Sequence, residues 1–134
     1  IRKAAELAFG AEVSANCGTG TLSGYGVFFD VDTPDRYILY RNCNGADSEG
    51  YTITGANPDQ IVETLFLDSS VEIGSVSGGE WSVSFFPPEP LIALCANDAC
   101  STSLTTVTLT LRSISDTSNT RVITINAKGT IDID

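Results

Sequence analysis

Cys17, Cys43, Cys95 and Cys100 are the residues of this 134-residue chain best suited to covalent chemistry. In a strand-rich chain, four cysteines point to two disulfides and an oxidising compartment. They allow three connectivities, and sequence alone does not choose among them. Proximity favours Cys95 with Cys100, which have four residues between them, and Cys17 with Cys43. Each bridge adds about 2–4 kcal/mol by restricting the unfolded chain. Zinc is the alternative for the same four thiols. Its usual sign is paired knuckles with two residues between cysteines, and that spacing is missing, so no metal is expected.

Catalysis finds less material. The chain has no histidine, which excludes Ser-His-Asp and Cys-His arrangements. A Ser–Lys pair would draw on Lys3 or Lys128, and neither stands beside a strained nucleophile turn. Glu63, Glu80 and Glu89 offer carboxylates for a glycosidase pair, but they are scattered in a chain with 17 acidic residues. Asp30, Asp32 and Asp35 cluster like a calcium loop, yet Pro34 stands where a ligand belongs. No glycine-rich phosphate cradle opens a helix, so no cofactor is expected. The chain is not expected to be an enzyme. Tyr25, Phe28, Phe29, Tyr37 and Tyr40, flanked by Arg36 and Arg41, have the composition of a base-stacking platform. Half-buried strands place such aromatics in a core more often, and a net charge of −10 opposes phosphate binding.

The elements that must position these residues are mostly strands. Val107, Leu109 and Leu111 alternate with Thr108, Thr110 and Arg112, as Ile123, Ile125 and Ala127 do with Thr124 and Asn126. Period-two alternation is the mark of a strand with one buried face. Asp116-Thr117-Ser118-Asn119 and Lys128-Gly129 are the turns, so Leu104 to Asp134 predicts three antiparallel strands. Upstream, Tyr25–Val31 and Arg36–Arg41 read as strands around a Thr33-Pro34-Asp35 turn. Tyr51–Thr54, Ile61–Leu67, Val71–Val76 and Trp81–Phe86 read as further strands, and Leu91–Ser103 as a loop or edge segment. Pro87, Pro88 and Pro90 end pairing, because proline has no N–H to donate.

Residues 1–14 predict a helix. Ile1, Ala5, Phe9 and Val13 form an apolar stripe, with Ala4 and Ala8 beside it. Phe9 is the expected main anchor on the C-terminal sheet. No capping residue opens the helix, and Arg2 and Lys3 sit where the helix dipole disfavours cations. With no methionine in the chain, the expectation is a processed or cut product whose helix continues upstream. Length and a hydrophobic content of 42% predict a single globular domain over 1–134, with a β-rich part over 25–134. No apolar run of about 18 residues is present to span a bilayer.

The order of these elements resembles a known family. The segments are Gly26-Val27-Phe28-Phe29-Asp30, Arg36-Tyr37-Ile38-Leu39-Tyr40, Val71-Glu72-Ile73, Val83-Ser84-Phe85-Phe86-Pro87 and the closing Arg121 to Ile131 with its Gly129. Together with the N-terminal helix they resemble the soluble domain of type IV pilin-like proteins. The resemblance is nearest to the minor pseudopilin H subunit of type II secretion and the FimT-type minor pilins. It implies an α+β fold with a truncated N-terminal helix packed on antiparallel sheet. It implies a structural filament subunit, periplasmic or extracellular, whose partners are other pilin or pseudopilin subunits. The full-length form would be anchored in the inner membrane through an N-terminal segment missing here. DNA-binding members carry basic residues after the closing glycine. Here the tail is Thr130-Ile131-Asp132-Ile133-Asp134, so no nucleic acid partner is expected. The alternative is a free-standing secreted β-domain that binds a protein or glycan. An apolar segment of about 20 residues ahead of Ile1 would mark the pilin, and a cleavable signal peptide the secreted domain.

Overall fold

Alternation builds strands almost everywhere in the computed structural model, which describes residues 1–9, 17, 22–43, 50–55, 57–76, 79–86, 91–96, 99–100 and 104–134. One helix, α1 (Arg2–Phe9), precedes β1 (Gly24–Asp30), β2 (Arg36–Asn42), β3 (Gln60–Phe66), β4 (Val71–Val76) and β5 (Glu80–Phe86). Then follow β6 (Leu91–Ala96), β7 (Ala99–Cys100), β8 (Thr106–Ser113), β9 (Thr120–Asn126) and β10 (Ile131–Ile133). The strands form a six-stranded sheet, β3-β2-β1-β5-β6-β7, and a four-stranded sheet, β10-β9-β8-β4. Every pairing is antiparallel.

This corrects the expected α+β, pilin-like fold. Among the described residues the protein is a two-sheet antiparallel β structure with one eight-residue helix. No described helix is long and apolar enough to cross a membrane. The helix does dock. Ala4 is fully buried, and Ile1, Ala5 and Leu7 pack against the core. Its neighbours are β1 and β5 of the larger sheet rather than the C-terminal strands that the sequence pattern paired with it. The side chain of Phe9 and all of Val13 lie outside the described residues.

Two further expectations are corrected. Tyr51–Thr54 makes no strand. Its amides are taken by side chains instead: Thr52 N–H donates to Asp59 Oδ2 at 3.0 Å and Tyr51 N–H to Ser82 Oγ at 3.3 Å. The stretch Leu91–Ser103, expected as a loop or edge segment, holds a strand pair: β6 runs along β5 from Trp81 to Phe86, and β7 is the sheet's edge strand. The turns follow their sequence signatures. Asp68 Oδ1 accepts hydrogen bonds from the Ser70 amide (2.9 Å) and hydroxyl (2.6 Å), and Asp116 does the same with Ser118 (3.1 and 2.6 Å). These bonds hold both carboxyls below the usual carboxylate range, the hydroxyl contributing most. Gly129, at φ 80°, closes the β9–β10 turn with its amide on Asn126 O at 2.8 Å.

The main core lies between the sheets. Tyr25, Val27, Phe29, Leu39, Trp81, Val83, Phe85 and Leu94 face Ile73, Val76, Val107, Leu109 and Ile125. The larger sheet is also covered on its second face, which the Ser82 and Ser84 alternation would have left wet. Ser84 is 0% and Ser82 2% exposed, and Tyr40 and Asn42 are fully buried. Tyr51 caps this face, with ring centroids 4.9 Å from Tyr40 and 4.7 Å from Phe28. Gly26 stands in register with Tyr40 on one side and Ser84 on the other. The Tyr40 ring crosses over it, so a Cβ there would lie 2.4 Å from Tyr40 Cζ. Only glycine lets the Tyr40 hydroxyl share its 2.7 Å hydrogen bond with Ser84 Oγ two strands away.

Burial pushes the Tyr40 phenol up to about 12, against the lowering effect of the Ser82 and Ser84 hydroxyls. An unfolded tyrosine ionises near pH 10. Above that pH the unfolded chain releases a proton that the folded chain keeps, so stability is full below about pH 10 and falls from there towards pH 12. Tyr40 alone accounts for a loss of roughly 2–3 kcal/mol across that window. Burial shifts Tyr51 in the same direction. Urea midpoints measured from pH 8 to 11.5 are expected to fall steeply in the wild type. Tyr40→Phe should show a shallower alkaline limb, at a cost near neutral pH of about 1 kcal/mol for the lost hydrogen bond.

Candidate functional site: the open edge of the six-stranded sheet

The residues with catalytic potential are dispersed. Glu63 lies on β3 and Glu80 on β5, with β2 and β1 between them. Three inter-strand steps of about 4.8 Å put them at least about 14 Å apart, wider than the roughly 5–9.5 Å of a glycosidase pair. Glu89 lies outside the described residues, as does the side chain of Lys3. Lys128 sits in the β9–β10 turn. Asp30, Asp32 and Asp35 do share the β1–β2 turn, but they are used locally. Asp30 Oδ1 accepts the Asp32 amide at 2.8 Å and Asp35 holds Arg36 at 2.9 Å. Among the described residues no group of three or more carboxylate or cysteine side chains is placed to hold a metal ion. The aromatic set divides between two faces. Tyr25, Phe29 and Tyr37 join the inter-sheet core, where Phe29 packs on Trp81 at 4.6 Å and on Tyr37 at 5.5 Å. Phe28 and Tyr40 lie under Tyr51 on the other face.

The cysteines act as structural ties. Cys17 and Cys43 are joined, with Cα atoms 5.4 Å apart. Cys95 is also disulfide-bonded, and Cys100 is its register partner across the β6–β7 ladder. The first bridge fixes the end of β2 to the segment after the helix. Beside it Asp59, itself buried, accepts the Cys43 amide at 2.9 Å and the Thr52 amide at 3.0 Å. This clamp delivers the chain into β3.

β3 is the feature that the sequence reading did not single out. Among the described residues the two sheets have four edges, and all are blunted to some degree. β7 has two residues, β10 has three and carries Asp132, and β4 is interrupted by a bulge between Ile73 and Ser75. Short, charged or bulged edges resist pairing with another chain. β3 is the longest of them, seven residues with no Lys or Pro, but it carries Glu63 and bulges at Val62, between the pairs Leu39–Glu63 and Tyr40–Ile61. Among the described strands it pairs with β2 alone. Ile61 is 54% and Phe66 66% exposed, and Val62 is exposed beside them. Ile53, 65% exposed, lies in the segment that Asp59 N–H ties back to Thr52 O at 2.8 Å. Arg36 lies over the Phe66 ring at 5.3 Å, with its charge turned to Asp35. Among the described residues no strand pairs with the outer side of β3, and exposed apolar side chains flank it, a surface of the kind that contacts another chain. The signal was present in the sequence as apolar residues on both parities of one strand, Ile61 and Leu65 against Val62 and Phe66. That pattern ordinarily marks a central strand. No protein-family model, curated protein or solved structure matches this chain.

Proposed function

We propose that this protein is a non-catalytic structural subunit, a minor pilin or pseudopilin, that works by assembling with neighbouring subunits of a type IV pilus or type II secretion filament. The observation that carries the proposal is the β3 edge, a seven-residue strand that pairs with β2 alone among the described strands and leaves Ile61, Val62 and Phe66 exposed. An exposed apolar edge of this kind is an aggregation hazard in a protein that acts alone and a contact surface in one that assembles. The kind of assembly comes from the sequence resemblance and does not depend on a long packed helix. The Cys17–Cys43 disulfide supports a periplasmic or extracellular setting, where such bonds persist.

Filaments sheared from the producing cells and sedimented test this directly. The wild-type protein is expected in the filament fraction. Ile61→Lys, which leaves the inter-sheet core intact, is expected to reduce that fraction at least tenfold while its circular dichroism stays unchanged. Wild-type protein found only as free monomer would overturn the proposal. The secreted-domain reading draws on a different feature, an open depression of about 330 Å³ at the far end of the smaller sheet. Val71 and Leu111 form its apolar part, with Ser113, Asn119 and Arg121 around them. Glycan-array binding lost on Arg121→Ala would favour that reading over the filament.

A further inference from the structure

The core-facing side of the smaller sheet continues past the core. On it Ile73, Leu109 and Ile125 are buried between the sheets. Leu111 pairs with Ile73 on one side and Arg121 on the other, and Val71 pairs with Ser113 one row further out. Alternate residues of a strand share a face, so Val71, Leu111 and Arg121 carry the core-facing side out towards solvent. They line the open depression of about 330 Å³, to which the larger sheet contributes none of the described lining residues. Val71 and Leu111 are half-buried there, and Arg121 is exposed. Among the described residues Arg121 has no ion-pair partner. Arg112 alternates to the opposite face, where its Nε is committed to Glu72 Oε1 at 2.6 Å. Asn119 spends its backbone on the turn, its amide on Asp116 O and its carbonyl on the Ser113 amide, both at 3.0 Å. Asp68 and Asp116, the carboxylates of the two turns beside the depression, are bonded to Ser70 and Ser118.

We propose that this end of the inter-sheet cleft binds a small molecule made of one carboxylate and a short apolar body. The guanidinium of Arg121 presents paired N–H donors that match the two oxygens of a carboxylate. Val71 and Leu111 lie beside it on the same face, and a ligand body laid over them removes apolar surface from water. The depression is at the small end of the range for ligand pockets, which suits a small molecule rather than a polymer. A sugar is the poorer occupant, because no aromatic ring is among the described lining residues for it to stack on. Selection here is local. The chain as a whole carries a charge of −10, and Asp68 and Asp116 add negative charge near the depression, so an anion gains only from direct contact with Arg121. Binding at this end of the smaller sheet is independent of filament assembly, which uses an edge of the larger one.

The test titrates three probes into the isotope-labelled protein at neutral pH and follows backbone amide shifts. Hexanoate has the carboxylate and the apolar body. Hexanamide has the body without the charge, and glucuronate has the carboxylate on a polar ring. Hexanoate is expected to shift the amides of Val71, Leu111 and Arg121 along saturating curves. At low salt it should bind at least about fivefold more tightly than either of the others, and the preference should shrink at high salt. Arg121→Gln, at an exposed position, should leave the spectrum unchanged away from the depression and bring hexanoate down to the affinity of hexanamide. Equal binding of hexanoate and hexanamide would overturn the proposal, as would shifts that do not saturate or that centre elsewhere. Undiminished hexanoate binding by Arg121→Gln would overturn it as well. Glucuronate binding as tightly as hexanoate would also overturn it, by making a sugar acid the ligand.

Discussion

Trp81→Ala is expected to lower the stability of the domain by about 3–5 kcal/mol. Trp81 is the only tryptophan, 1% exposed, and the largest fully buried side chain. It sits on β5 opposite Phe29 on one side and Ala96 on the other, so its ring spans the middle of the larger sheet. Truncation leaves a cavity that strands bonded on both sides are poorly able to close. Among the described residues the indole N–H has no hydrogen-bond partner, so this residue contributes mainly volume. Trp81→Phe removes that unsatisfied donor while keeping most of the ring. Its expected cost is under about 1.5 kcal/mol. Urea denaturation followed by circular dichroism measures both, because the mutation removes the fluorescent probe. Equal costs for the two variants would show that the site is not packed as described.

Loss of the Cys17–Cys43 bridge is the second large effect. The bond closes a loop with a sequence separation of 26. The chain-entropy relation for a loop of that length gives roughly 3–4 kcal/mol. Cys43→Ser in the Cys17→Ser background is therefore expected to shift the denaturation midpoint strongly. A second consequence is local. The bridge anchors the segment that Asp59 and Tyr51 fold over the second face of the larger sheet. Without it, hydrogen exchange at Tyr51 and Thr52 should accelerate more than exchange in the β8–β9 ladder, which the bridge does not touch. A uniform change across both regions would place the effect in the unfolded state alone.

Much of this fold was legible because its code is local. Val107, Leu109 and Leu111 declare a half-buried strand, and Asp116 and Gly129 declare the turns around β9, whatever else the chain does. The Cys17–Cys43 pairing and the docking of Ile1 and Ala5 follow from proximity and spacing in the same way. What was not legible depends on a distant partner. Ser82 and Ser84 look like a wet face until Tyr40 and Tyr51 cover them. Tyr51–Thr54 has strand composition, but the carboxylate of Asp59 captures its backbone. A helix stripe of Ile1 and Ala5 states that something is packed, not which sheet receives it, and so the smaller C-terminal sheet was chosen over β1 and β5. The fold class failed for a related reason, since an amphipathic start says little about how much of a domain is helix. At the candidate site, the apolar residues on both parities of β3 implied a central strand. Only the pairing order shows that no described strand covers its outer side.

The order of the strands also governs how the molecule can be made. The chain lays down β1 to β3 in one sheet, crosses to β4 in the other, returns for β5 to β7, and crosses again for β8 to β10. The centre of the larger sheet stays open until β5 arrives, because Tyr25 of β1 pairs with Phe85 and not with a near neighbour. The smaller sheet waits in the same way for β8 to reach β4, joining Val71 to Ser113. Such distant pairings put closure entropy ahead of the contacts that repay it, which places folding on the millisecond-to-second scale of non-local β domains. Neither sheet can be completed from one continuous piece of chain. A protein emerging vectorially during synthesis or export would expose the edge of β1 until β5 follows, and that of β4 for as long as the last third is withheld, and that interval is when a chaperone would be needed most.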